Sequence, residues 1–184
     1  MIAIVDYNVG NVLSVLNACK RIGMEAKLTQ DIDEADAIIL PGVGAFPVAM
    51  ENLRKIGLVN KLRAAAKPIL GICLGMQILF EKGFENYECE GLGLLKGKVS
   101  LIPAKEKLPH IGWNNLVGYG KDVYFVHSYM ADFNENTRDY CEYNSVKIPA
   151  IVENNNVMGF QFHPEKSGKI GEDLLQEWKE KWQL

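Results

Sequence analysis

The sequence has no closely spaced cysteine pair, no long apolar run and no surplus of positive charge, and each absence removes a class of function. Its cysteines, Cys19, Cys73, Cys89 and Cys141, stand 54, 16 and 52 positions apart. No C-x-x-C pair therefore offers a zinc or dithiol redox site, and free thiols are expected. No stretch approaches the roughly 20 apolar residues of a membrane-spanning helix. The opening Met1-Ile2-Ala3-Ile4-Val5 enters a strand pattern without the basic head of a secretion signal, so a cytoplasmic protein is expected. Lysine and arginine total 20 against 23 acidic residues, a net charge of −3, which supplies no electrostatic footprint for nucleic acid or anionic lipid. What remains is ordinary globular composition, 48% hydrophobic and 23% charged. The length of 184 residues suffices for a hydrophobic core without covalent staples, and a single domain over 1–184 is expected.

The apolar pattern alternates between short runs and helical spacing. Ile2 to Asp6 reads as a strand, followed by a turn and a helical stretch from Asn11 to Ile22 with Val12, Val15, Leu16 and Cys19 at helical intervals. Ala37 to Leu40 and Pro68 to Ile72 read as strands buried on both faces. Between them lie helical stretches around Pro47 to Lys55 and Leu58 to Ala66, and a further helix is expected over Leu74 to Glu81. Strands apolar throughout require helices on both sides of their sheet. From Gly97 onward the pattern shifts to short alternating strands at Lys98 to Ile102, Val123 to Val126, Tyr140 to Tyr143 and Val157 to Phe162, before a closing amphipathic helix. These elements predict a three-layer, flavodoxin-like α/β domain. Its central sheet is mostly parallel with some antiparallel strands, and ligands belong at the carboxyl ends of the parallel strands.

Three segments carry chemistry. Gly71-Ile72-Cys73-Leu74-Gly75 joins a buried strand to a helix, the setting of a nucleophile elbow with cysteine in place of serine. A free cysteine is more often a small buried hydrophobe than a nucleophile, but a spectator needs no flanking glycines at a strand-to-helix turn. In Gln161-Phe162-His163-Pro164-Glu165, an imidazole and a carboxylate stand two positions apart. In extended backbone they face the same way, so Glu165 can orient His163 as the third member of a triad. The loop Pro41-Gly42-Val43-Gly44 follows a buried strand and reads either as an ordinary turn or as a flexible source of N–H groups for an oxyanion. It lacks the lysine of a phosphate loop. His127 competes as a base, and His110 has no carboxylate near it in sequence.

Together the elbow, the glycine loop and the late His-Pro-Glu resemble the class I glutamine amidotransferases. Within that class, the strings from Asp6 to Asn11, Pro41 to Phe46, Gly71 to Gln77, Pro109 to Asn114 and Phe160 to Ser167 resemble the glutaminase subunits of imidazole glycerol phosphate synthases. The resemblance implies that Cys73 attacks L-glutamine, His163 moves protons, Glu165 orients the imidazole, and a glutamyl thioester forms. It implies an oxyanion hole from the N–H of Leu74 and one from Val43 or Gly44, with Gln77 and Glu85 at the amino-acid head and His127, Ser128 and Tyr129 lining the pocket. Glu85 also reads as an ordinary surface charge. The implied partner is a (β/α)8 cyclase in a heterodimer, receiving ammonia for imidazole glycerol phosphate synthesis, and no cofactor or metal is implied. Asn11, Trp113, Asn114, Tyr124 and Lys166 match interface positions of that family. Trp113 and Tyr124 read equally as core aromatics, and Lys166 as a solvated charge. The rivals are a glutaminase serving sugar amidination, a cysteine hydrolase acting on another amide, and a noncatalytic binding module.

Overall fold

The computed structural model describes residues 1–103 and 107–184. Strands β1 (Ile2–Val5) and β2 (Ala26–Thr29) flank helix α1 (Val12–Arg21), and β3 (Ala37–Leu40) is followed by α2 (Phe46–Lys55) and α3 (Leu58–Ala64). Next, β4 (Ile69–Ile72) runs into the single-turn helix α4 (Leu74–Gln77). Then come β5 (Phe80–Gly83), β6 (Cys89–Glu90), β7 (Leu95–Leu101), β8 (His110–Leu116), β9 (Lys121–His127) and β10 (Tyr129–Ala131). The chain ends through β11 (Thr137–Tyr143), β12 (Val146–Asn154), β13 (Val157–Phe160), a 3-10 turn at Pro164–Lys166, and α5 (Gly168–Lys181).

The central sheet has seven strands in the order β11-β12-β13-β4-β3-β1-β2. From β2 to β13 neighbours run parallel, while β12 and β11 are added antiparallel. Alternation along the buried strands sends side chains to two cores. Ala3, Val5, Ile38, Leu40 and Ile69 face one way, packing with Phe46 and Met50 of α2, Leu62 of α3, and Phe80 and Val99 of a second sheet, β10-β7-β5-β6. Ile2, Ile4, Ala37, Ile39, Leu70 and Ile72 face the other, against Val15 and Cys19 of α1, Leu174, Leu175 and Trp178 of α5, and Val123 and Phe125 of the β8–β9 hairpin. The expected layers and mostly parallel sheet are thus present. No helix among the described residues is long and apolar enough to cross a membrane.

The helices form where expected because their apolar residues recur at helical spacing. In α1 the buried residues are Val15, Ala18 and Cys19, and Lys20 and Arg21 sit in the last turn, where positive charge offsets the exposed carbonyls. In α2, Pro47 occupies the first turn, where a missing N–H costs nothing.

One helix differs from expectation. The stretch expected over Leu74 to Glu81 stops at Gln77 and becomes β5. Ile78, Leu79 and Phe80 are all wholly buried, so this run has no polar face with which to build a surface helix. Five strands, β2, β6, β8, β10 and β12, also lay outside the sequence pattern. The short edge strand β2 is only partly buried, and β8 contains Gly112, Asn114 and Asn115, types depleted in strands. In β12, next to the sheet's edge, Pro149 lies outside the 151–154 stretch that pairs with β13 and beside a register shift against β11, which is where a strand accommodates a proline.

The consequence for function is positional. The loops leaving β1, β3, β4 and β13 all emerge at the carboxyl ends of parallel strands, the region where open α/β sheets bind ligands. Two of them touch: a Cβ on Gly75 would stand 1.8 Å from the Leu40 carbonyl oxygen, and one on Gly71 would stand 2.5 Å from that of Gly75. Gly75→Ala is therefore expected to remove about 3 kcal/mol or more of stability, because backbone must move on both sides. Gly93→Ala, with nothing within 4 Å and a φ of +66°, should lose only about 1 kcal/mol. Parallel urea melts check the contrast, and equal losses would contradict the close packing.

Candidate active site

Cys73 sits between β4 and α4 with φ 53° and ψ −109°, the strained turn expected of an elbow. Its N–H donates to the Phe160 carbonyl at 2.7 Å, and its carbonyl accepts the first helical bond, from the Gln77 N–H at 3.1 Å. The N–H of Leu74, first in the helix, has no acceptor within it. Because α4 is one turn long, what it offers the thiol is the unbonded N–H of Leu74 and not the dipole of a long helix. The thiol is 5% exposed, and Gln161 Nε2 stands 3.8 Å from Cys73 Sγ.

His163 follows β13 in extended backbone, its N–H donating to the Tyr124 carbonyl at 2.9 Å. The chain then enters the 3-10 turn, so Glu165 reaches the imidazole by a turn, not by the strand alternation expected. His163 Nδ1 donates to Glu165 Oε1 at 2.7 Å, and both side chains are shut from solvent. Asn11 Nδ2 donates to the same carboxylate oxygen. His163 Nε2 is buried without a hydrogen-bond partner among the described residues, free to exchange a proton. Burial is the largest influence on this imidazole and lowers its pKa, yet its interactions with Cys73 and Glu165 together outweigh it, raising the pKa to about 10.

His127 is committed elsewhere. Its Nδ1 lies 2.8 Å from the Tyr129 carbonyl and so carries the proton, leaving Nε2 to accept from His110 Nδ1 at 3.0 Å. His110 Nε2 in turn accepts from Asn114 Nδ2 at 3.1 Å. Burial lowers His127 to about 3 and His110 to about 4, so both are neutral at pH 7. With both nitrogens engaged, His127 forms part of a wall and is not positioned as a base.

A cavity of about 270 Å³ opens over the thiol, lined by Val43, Gly44, Cys73, Leu74, Gln77, Glu85, Pro109, Val126, His127, Ser128 and Tyr129. Gln77 Nε2 donates to the Tyr129 carbonyl and to Gln161 Oε1, each at 3.0 Å, so only its oxygen is left for a ligand. Glu85 reaches this cavity after β5, and its Oε2 accepts the Phe46 N–H at 2.7 Å, leaving the other oxygen available. A hollow of about 420 Å³ lined by Tyr119, Arg138 and Trp178 has no cysteine or histidine in its wall, so chemistry and not volume marks the site. Among the described residues no cluster of three or more His, Cys, Asp or Glu could hold a metal.

Of the residues expected at a partner interface, Trp113 is 59% exposed. Its ring meets Tyr124 edge-on at 6.1 Å, and Lys166 Nζ lies 5.8 Å from the Tyr124 centroid. Asn11 and Asn114 instead turn their amides inward, to Glu165 and His110. Sequence reasoning overlooked Gln161, which is wholly buried beside the thiol. Its place two residues before His163 in a strand-like run was the available signal.

The chain matches the family model for class-I glutamine amidotransferases over residues 3–179. It is 52% identical to the imidazole glycerol phosphate synthase subunit HisH of Lactococcus lactis, covering 97% of this chain and 98% of that protein. The same-named subunit of Exiguobacterium sibiricum is 48% identical over 98% and 95% of the two chains. Among solved structures, a glutamine amidotransferase superposes with a TM-score of 0.80 at 20% identity over all of both chains. PurLQS from Thermotoga maritima gives 0.72 at 22% identity over 98% and 97%. These structural likenesses bear on the fold.

The raised pKa of His163 sets a sign. Its pairing with Cys73 and Glu165 adds stability that is fully present below about 6.5 and lost as pH rises through about 10. Replacing the carboxylate by an amide in Glu165→Gln should lower the His163 titration midpoint by at least ~1 pH unit. Proton NMR of the imidazole checks this, and an unchanged midpoint would show that Glu165 does not govern the imidazole.

Proposed function

The chain belongs to the class-I glutamine amidotransferase family, and from that premise we infer that it is the glutaminase subunit of an imidazole glycerol phosphate synthase in histidine biosynthesis. It hydrolyses L-glutamine to glutamate and ammonia, and residues 1–184 act as one amidotransferase domain. The observation that carries this reading is a single cavity in which Cys73, Leu74, Val43, Gly44, Gln77 and Glu85 meet, with the buried His163–Glu165 pair acting on the thiol. A glutaminase serving sugar amidination is not favoured, because relatives 44–52% identical over nearly their whole length carry the histidine-pathway name.

In this reading the proton of Cys73 already resides on His163, whose pKa is raised by its two partners, and the thiolate sulfur attacks the side-chain carbonyl carbon of glutamine. The carbonyl electron pair moves onto oxygen, where the N–H of Leu74 and that of Val43 or Gly44 receive it. On collapse the carbon–nitrogen bond breaks, the nitrogen takes the proton from His163 Nε2, and ammonia leaves a glutamyl thioester on Cys73. His163 then takes a proton from water as it attacks the thioester, and glutamate departs with the thiol restored. Glu85 and the Gln77 oxygen hold the α-ammonium of the substrate, a charge that requires a carboxylate.

Ammonia in water at neutral pH is mostly ammonium and not nucleophilic, which is a physical reason for passing it directly to a second site. The recipient is a (β/α)8 cyclase forming a heterodimer with this chain in the cytoplasm. Exposed Ile111 and Trp113 on alternate positions of β8, beside Tyr124 and Lys166, supply the apolar and aromatic anchors such an interface needs.

Two outcomes test this function. In the complex, Cys73→Ala should abolish glutamine-dependent synthesis while leaving synthesis from ammonium salts intact, and normal glutamine turnover by that variant would sink the nucleophile assignment. The chain alone should release glutamate slowly, and cyclase carrying its nucleotide ligand should raise the rate at least ~10²-fold. The glycines of the 41–44 loop let an oxyanion N–H point away in the resting chain; switching one such donor inward is worth about 10² to 10³ in kcat, provided the liganded partner favours the inward orientation by a matching free energy. Equal rates for the chain alone, with cyclase, and with cyclase plus ligand would defeat the switch.

A further inference from the structure

The segment Asp6 to Asn11, between β1 and α1, has contacts that the mechanism above does not use. Tyr7 is wholly buried, and its hydroxyl donates to the Pro41 carbonyl at 2.5 Å. Burial, and then the nearby charge of Cys73, push this phenol's pKa upward, so the hydroxyl remains a donor. Pro41 opens the oxyanion loop, and a Cβ on Gly42 would stand only 3.1 Å from the same hydroxyl. Three residues beyond Tyr7, a Cβ on Gly10 would stand 2.6 Å from Val43 Cγ2, so the Val43 side chain rests directly on the Gly10 backbone. At the far end of the loop, the Phe46 N–H is held by Glu85 at 2.7 Å.

The loop is thus pinned at Pro41 and Phe46, with two glycines free between the pins. A peptide group is planar and turns as a unit, so fixing the Pro41 carbonyl also fixes the Gly42 N–H and the point from which the chain continues through Gly42 to Val43. Without that anchor, glycine freedom at 42 and 44 would let the loop swing as a whole.

We propose that Tyr7 is a positioning residue for the oxyanion loop: its hydroxyl holds the Pro41 carbonyl, fixing where the loop starts, so that the Val43 and Gly44 N–H groups reach the oxyanion when the liganded partner turns the loop inward. The proposal rests on the glutaminase reading and assigns Tyr7 a role in the reaction without contact with substrate. Tyr7→Phe removes the hydroxyl and keeps the ring. In the full complex with cyclase, kcat for glutamine hydrolysis should fall at least ~10-fold while KM stays within ~2-fold, as expected for a donor displaced only where the transition state needs it. Alkylation of Cys73 by iodoacetamide, which needs no oxyanion hole, should proceed at the wild-type rate. Gly10→Ala leaves the Tyr7 bond in place and pushes on Val43 directly, and should give the same split. A lower melting temperature with wild-type kcat in both variants would make Tyr7 a packing residue and overturn the proposal while leaving the glutaminase reading intact. Absence of glutamate release by the wild-type complex would overturn both.

Discussion

At Cys73 the backbone takes φ 53° and ψ −109°, a conformation that costs an ordinary residue roughly 1–3 kcal/mol, and the surrounding structure is arranged to hold it. The Phe160 carbonyl of the neighbouring strand takes the Cys73 N–H, and the bare α-carbon of Gly75 lets the new helix lie against the Leu40 carbonyl. That approach ties the elbow to the end of β3, from which the oxyanion loop departs. Since β3, β4 and β13 are adjacent parallel strands, their loops leave the sheet side by side at the spacing of a strand. The proposed nucleophile, oxyanion donors and imidazole are neighbours for that reason.

Burial lowers the pKa of every imidazole near this turn, yet the outcomes differ. His127 and His110 sit among apolar and aromatic neighbours without a carboxylate, and burial leaves both neutral with their tautomers set by a chain of hydrogen bonds. His163 is equally hidden, but Glu165 and Cys73 reverse the sign. Charge at the site is therefore decided by which histidine meets a carboxylate, and exposure plays little part. The neutral pair still contributes: His127 bonds the Tyr129 carbonyl that also receives Gln77, which links the pocket wall to the residue proposed to hold the substrate head.

The β8–β9 hairpin connects this interior to the surface. Its inward residues, His110 and Phe125, are buried, while Ile111 and Trp113 face solvent beside the candidate site. Asn114 shows how one element serves both sides: its amide bridges His110 and the Glu142 carbonyl, so its contribution to a partner surface is through the strand it steadies.

By itself the sequence determined the layered α/β class, the positions of the elbow, the glycine loop and the His-Pro-Glu segment, and hence the type of chemistry, because these signals are local. A strand-turn-helix with flanking glycines, or a histidine and a glutamate two positions apart around a proline, is readable within a few residues. Only the tertiary structure decided which side chains serve one another. Asn11 and Glu165 are 154 positions apart, and Tyr7 and Pro41 are 34 apart; no periodicity encodes such pairs. Likewise, the chain after Gln77 turned into the strand 80–83 instead of continuing the helix because Ile78, Leu79 and Phe80 are all buried and the strand pairs with β7 of the second sheet. Local geometry follows from local sequence, but a hydrogen-bond partner and a local dielectric follow from strand order, which exists only once the sheet is assembled.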